Sequence, residues 1–251
     1  MIDRFTFSIP QLSPEMERRA YVCLPEGYDL SEDEHYPVLY MFDGQNLFSD
    51  DEAAFGVSWG LADYMQETGT PLIIAAIESS TVGDGRLEEL SPYTHRTESL
   101  GLIRGRARTM LAWMTDIFKP FIDGRYRTIP DREATFIGGS SMGGLMSLYA
   151  AVSRSDLYSA AVCLSPSLWT HPAKAVRMLR QSDIPGDTRI YLDYGAEELD
   201  NHADNRRALL AAAQALMEKG CGYTLSIIPG ADHSEASWAR RVPDFMRFLG
   251  F

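Results

Sequence analysis

Cysteine is scarce: Cys23, Cys163 and Cys221 are odd in number and far apart in the chain. That excludes a disulfide framework and a cysteine-built zinc site, and it fits reduced thiols. Basic charge is in deficit, with 23 Lys and Arg against 35 Asp and Glu, a net charge of −12. Neither nucleic acid nor an anionic membrane is expected as the main partner. No apolar run approaches the roughly 20 residues needed to cross a bilayer. Met1 to Ser8 shows no basic segment leading into an apolar core, so no signal peptide is expected, and the cytoplasm is the expected location. Repeats, low-complexity tracts and linkers are also missing. The expectation is a single domain over residues 1–251, with a composition 45% hydrophobic that supports a substantial core.

What is present is an alternation of strands and helices. Arg4 to Ile9 and Arg18 to Leu24 read as a strand pair. Pro37 to Phe42 and Pro71 to Ile77 are continuous apolar runs of the kind that form strands buried on both faces. Gly60 to Glu67 has helical spacing, Glu78 to Gly101 has no clear period, and helical spacing returns from Ile103 to Phe121. Later strands are expected at Ala134–Ile137, Ser159–Leu164, Arg189–Tyr194 and Tyr223–Ile228. Helices are expected at Leu145–Val152, Ala173–Leu179, Arg206–Lys219 and Ser237–Leu249. This is an α/β fold: a mostly parallel central sheet with helices on both faces and antiparallel N-terminal strands.

One stretch carries chemistry. Gly139-x-Ser141-x-Gly143 fits a nucleophile elbow, where a strand turns sharply into a helix and lifts a serine hydroxyl above the sheet edge. Ser140 does not fit, since Met142 would then occupy the second glycine's place. A serine needs a base, and the base needs a group to hold it. In hydrolases with this elbow the chain order is serine, acid, histidine. Of five histidines, His233 alone lies late, after the last strand. His35 sits in an acidic turn, and His95 and His171 precede the acid. The acid belongs after the strand ending at Gly195, where Glu197, Glu198 and Asp200 are all candidates. Asp200, His202 and Asp204 also resemble a metal cluster, but residues that start a helix explain them, so no metal and no cofactor are expected. The oxyanion donors expected are the backbone N–H groups of Met142, next to the nucleophile, and Gln45, in a loop where Gly44 allows close approach.

Four segments together resemble the esterase D-like family: Met41 to Phe48, Gly138 to Gly144, Leu164 to Trp169, and His233-Ser234-Glu235 with Trp238. That family includes S-formylglutathione hydrolases, feruloyl and acetyl-xylan esterases, enterochelin-type siderophore esterases and mycolyltransferases. The resemblance runs from about Arg18 to the C-terminus. It implies an α/β-hydrolase fold without a large lid domain, Ser141 as nucleophile and His233 as base. It also selects Glu198, three residues after Gly195, although many relatives have Asp there and some siderophore esterases use a Ser–His dyad. Arg86 and Tyr93 match a segment that overhangs the site in the family. Asp43, Gly44, Trp169 and Trp238 complete the expected substrate pocket.

The expected activity is cofactor-independent hydrolysis of a small-molecule carboxylic ester through an acyl-enzyme. The alternatives are a siderophore or macrolactone esterase, an acyltransferase, and a non-catalytic binding module that keeps the elbow as scaffold.

Overall fold

The apolar run at Val38 sets the centre of the molecule. In the computed structural model, which describes residues 1–97, 101–200 and 203–251 and backbone alone at 97, 199, 200, 203 and 204, these residues form a strand, β3 (Val38–Phe42), buried along its length. Val38, Tyr40 and Phe42 face one apolar cluster, and Leu39 and Met41 face another on the opposite side of the sheet. Each large apolar side chain buried this way contributes ~1.5–3 kcal/mol.

The chain opens with two strands, β1 (Ile2–Ile9) and β2 (Ser13–Cys23), paired antiparallel. After β3 come α1 (Leu61–Thr68) and β4 (Ile73–Ile77). The aperiodic stretch that follows holds a short helix, α2 (Gly85–Glu89), and a small hairpin, β5 (His95–Thr97) with β6 (Gly101–Ile103). Glu89 of α2 pairs with Arg18 of β2 at 2.7 Å, both side chains almost wholly buried, and this anchors the stretch to the sheet.

Next come α3 (Ala107–Trp113) and α4 (Lys119–Arg125), joined without a break by a π-type turn at Met114–Phe118. Pro120 lies just beyond that turn. It has no N–H to donate and crowds the carbonyl four residues back, which accounts for the irregular winding. The remaining elements alternate: β7 (Thr135–Ser140), α5 (Met142–Ser153), β8 (Ala160–Leu164), α6 (Pro172–Gln181), β9 (Arg189–Gly195), α7 (Ala196–Asp200), α8 (Ala203–Lys219) and β10 (Gly222–Ile228). The expected last helix is in fact two, α9 (Glu235–Ala239) and α10 (Val242–Leu249). Between them Arg241 turns inward to a buried partner, Asp193, while Pro243 opens the second helix.

Strand order is β1-β2-β4-β3-β7-β8-β9-β10, parallel from β4 to β10. The chain leaves β3 for β4 on one side and later returns to β7 on the other. The β3–β7 boundary is therefore the point where strand order reverses, and its carboxyl end is where such sheets form a crevice. Among the described residues no helix is long and apolar enough to cross a membrane.

Close packing of α5 on this sheet depends on Gly144, where a Cβ would lie 2.8 Å from the Leu164 carbonyl oxygen. Gly144→Ala should lower stability by ~1–3 kcal/mol through overpacking, read as a fall in the urea unfolding midpoint. An unchanged midpoint would mean that α5 moves away from β8 without cost.

Candidate active site

Ser141 sits between β7 and α5 with φ 56° and ψ −120°, a conformation costly to an L-residue with a side chain. Its N–H donates to the Leu164 carbonyl at 2.9 Å, which holds the turn against β8. The glycines of the motif have separate duties. A Cβ at Gly139 would meet the Gly143 backbone at 2.9 Å, and one at Gly143 would stand 3.2 Å from Asp43 Oδ2.

The structure brings Ser141, His233 and Glu198 together from segments 92 and 35 residues apart. Ser141 Oγ lies 2.9 Å from His233 Nε2, and His233 Nδ1 lies 2.7 Å from Glu198 Oε2. These partners assign the tautomer: Nδ1–H donates to the carboxylate and Nε2 accepts from the serine hydroxyl. Burial pushes the Glu198 carboxyl up, but hydrogen bonds from His233, the Ser165 hydroxyl and the Gly195 N–H outweigh it and hold the group below its ordinary range. Gly195 is needed here because a Cβ would strike the Ala231 carbonyl of the histidine's own loop. Of the other acids, Glu197 is exposed. The side chains of Asp200 and Asp204, and the whole of His202, lie outside the described residues, so the metal-like cluster does too. No cluster of three or more metal-ligating side chains occurs among the described residues. His35 is exposed, and His95 and His171 pack on each other with ring centroids 5.5 Å apart.

Met142 is the first residue of α5, and Gln45 lies in a 3₁₀ turn, Gly44–Asn46, after Asp43. N–H groups at such starts have no partner within their own helix. Two backbone donors therefore stand at the carboxyl ends of β7 and β3, one on each side of the sheet's reversal point. The Gln45 turn is clamped by Arg86, which donates to both Asp43 oxygens at 2.6 and 2.8 Å. Burial pushes the Asp43 carboxyl up, and the Arg86 charge and hydrogen bonds more than reverse this. Gly44 serves packing, since a Cβ there would lie 2.9 Å from Tyr21 and 3.1 Å from Ala76 Cβ.

A cleft of about 610 Å³ opens beside Ser141 and His233, lined by Gln45, Arg86 and Trp238 and by the more apolar Ala54, Phe55 and Val57. Four expected pocket residues do not line it. Asp43 is bound by Arg86, and Gly44 packs against Tyr21 and Ala76. Tyr93 instead donates its hydroxyl to the Lys174 carbonyl at 3.2 Å. Trp169, 43% exposed, stands on a separate turn. An aromatic residue in a loop has no period to fix its direction, so neither placement was decidable from the sequence. Trp238 does face the cleft, edge-on to the His233 ring at 4.9 Å between centroids.

The sequence placed Glu235 within the family motif but gave it no role. Its carboxyl, buried in the cleft wall, accepts from Asn46 Nδ2 at 3.0 Å and from Trp59 Nε1. Asn46 in turn accepts from the Ala54 N–H at 2.9 Å, so Glu235 braces the loop that carries Phe55. Burial raises Glu235 to about 7, against the opposing hydrogen bond from Trp59. The folded state thus binds this proton more tightly than the unfolded chain. Stability should fall as pH rises from about 4.5 to about 7. Glu235→Gln should flatten that slope in urea unfolding at a series of pH values, and an unaltered slope would refute the assignment.

Residues 12–249 match the profile of a family described as "Esterase: Putative esterase". The chain is 25% identical over 249 residues to "Uncharacterized protein YbbA" of Bacillus subtilis (strain 168), covering 92% of each chain. Among solved structures it is similar to an IroE-like serine hydrolase from Shewanella oneidensis, with a TM-score of 0.77 and 22% identity over 99% of this chain and 79% of that one. It is similar also to a ferulic acid esterase, TM-score 0.72 and 19% identity over 99% and 97% of the two chains. A third is the enterobactin and salmochelin hydrolase IroE, TM-score 0.68 and 18% identity over 100% and 95%. At these identities the structures share the fold.

Proposed function

The chain belongs to this esterase family, and from that premise we propose that it hydrolyses carboxylic esters through an acyl-enzyme on Ser141. The observation that carries the reading is the continuous chain of contacts from Ser141 Oγ through His233 to Glu198, at 2.9 and 2.7 Å. His233 Nε2 takes the serine proton as Oγ attacks the ester carbonyl. Glu198 keeps Nδ1 protonated and stabilises the imidazolium that forms. The N–H groups of Met142 and Gln45 receive the developing oxyanion, aided by the N-terminal end of α5. His233 then protonates the leaving alcohol, and a water activated by the same nitrogen releases the acid.

A second reading concerns the substrate. The broad apolar side of the cleft, with Phe55 79% exposed at its mouth, supports a bulky siderophore or macrolactone ester over a simple acetate. Comparing kcat/KM across acetyl, butyryl, feruloyl, glutathione-thioester and siderophore-lactone substrates discriminates these.

Ser141→Ala should reduce kcat/KM for p-nitrophenyl butyrate by at least about 10³-fold. Retained turnover would sink the proposal. Glu198→Gln should cost on the order of 10²–10⁴-fold by spoiling the tautomer, whereas a loss below tenfold would point to a serine–histidine dyad.

A further inference from the structure

The turn after β8 holds a residue that the hydrolytic steps leave unused. Ser165 is 1% exposed and, although not glycine, has φ 42°. An L-residue keeps that conformation only where its surroundings over-determine it. Its N–H bonds the Asp193 carbonyl oxygen at 3.0 Å and Asp193 Oδ1 at 3.2 Å. Its hydroxyl has three neighbours: Trp238 Nε1 at 3.0 Å, Arg241 Nη1 at 3.0 Å and Glu198 Oε1 at 2.6 Å.

Indole and guanidinium nitrogens only donate, and a hydroxyl has two lone pairs and one proton. Trp238 and Arg241 occupy both lone pairs, so the proton has one destination, Glu198 Oε1. Arg241 is fixed in its turn by Asp193 at 2.8 Å, both side chains fully buried. We infer that Ser165 is a positioning residue of the site, its directed hydroxyl fixing Glu198 so that Oε2 faces His233. Oε1 then receives both the Ser165 O–H and, at 2.8 Å, the Gly195 N–H, which leaves Oε2 for His233 Nδ1. Without the hydroxyl, one of these two restraints on carboxylate rotation is gone. This inference rests on the reading of Ser141, His233 and Glu198 given above.

The charged and titratable groups facing Glu198 come from several elements. His233 and Arg241, the latter at 3.5 Å, belong to the C-terminal segment. Asp193 and Tyr194 belong to β9, and Glu235 lies beyond His233. Against that fixed background, losing the Ser165 donor removes one stabiliser of the ionised carboxylate. Glu198 should then titrate at higher pH.

Two variants test this, Ser165→Ala and Ser165→Gly, the second also relieving the backbone conformation. The carboxyl of Glu198 is followed by ¹³C NMR across pH in protein labelled at glutamate, a readout that needs no turnover. Both variants should raise its midpoint, move the acid limb of kcat/KM to higher pH, and lower the plateau ~10-fold, as for groups that orient a reacting side chain. A lower Tm with an unmoved midpoint would mean that Ser165 only packs. A Ser165→Gly protein that matches wild type in midpoint and kcat/KM would overturn the inference alone. A wild-type protein that fails to hydrolyse any ester of the panel would overturn the esterase reading instead.

Discussion

A buried carboxylate is costly unless its lone pairs are met, and the Glu198 side chain, 4% exposed, sets that condition for the whole site. Among the described residues its hydrogen-bond donors come from three places: Ser165 at the end of β8, the Gly195 N–H at the end of β9, and His233 in the loop before α9. Satisfying one anion therefore brings three chain segments to one point above the sheet. Ser141 is delivered to the same point by the turn between β7 and α5, so the arrangement follows from the parallel sheet's carboxyl edge and one charge in need of partners. Among the described residues, the three non-glycine positions with positive φ are Asp43, Ser141 and Ser165. They stand just beyond β3, β7 and β8, so backbone strain is concentrated where the site is built.

Charge is handled in the same way around that point. Asp43 is matched by Arg86, and Asp193 by Arg241, which also reaches Ser165 and the Asp232 carbonyl. Breaking one partner of such a buried pair leaves an uncompensated charge, which costs far more than the pair itself contributes. Burial pushes the Asp193 carboxyl up to about 6, against the opposing charge and hydrogen bond of Arg241. The chain carries a net charge of −12, and beside the cleft Asp43 and Asp193 are each matched by a single arginine.

The fold and the core of the site were legible because their signals are local. Apolar runs such as Val38 to Phe42 read as buried strands, and the glycines around Ser141 have steric duties that a short pattern records. His233 followed from chain order, whereas spacing left Glu197, Glu198 and Asp200 open and only the family resemblance singled out Glu198. What stayed hidden depends on contacts between distant segments. Glu235 meets Trp59 and Asn46, 176 and 189 residues away, and no spacing rule connects them. Ser165 reads as an ordinary turn serine until Trp238 and Arg241 are seen to fill its lone pairs. The break at Arg241 was missed for a related reason: helical spacing continues through 237–249, but the arginine's buried partner lies on β9.

The central claim is that an acyl group passes through Ser141. Rapid quenching of the protein with p-nitrophenyl butyrate, followed by mass analysis of its peptides, tests this directly. The account predicts one butyryl group on the peptide containing Ser141, and none there in Ser141→Ala. Continued ester hydrolysis with that peptide unmodified, or with the acyl group on another residue, would contradict it.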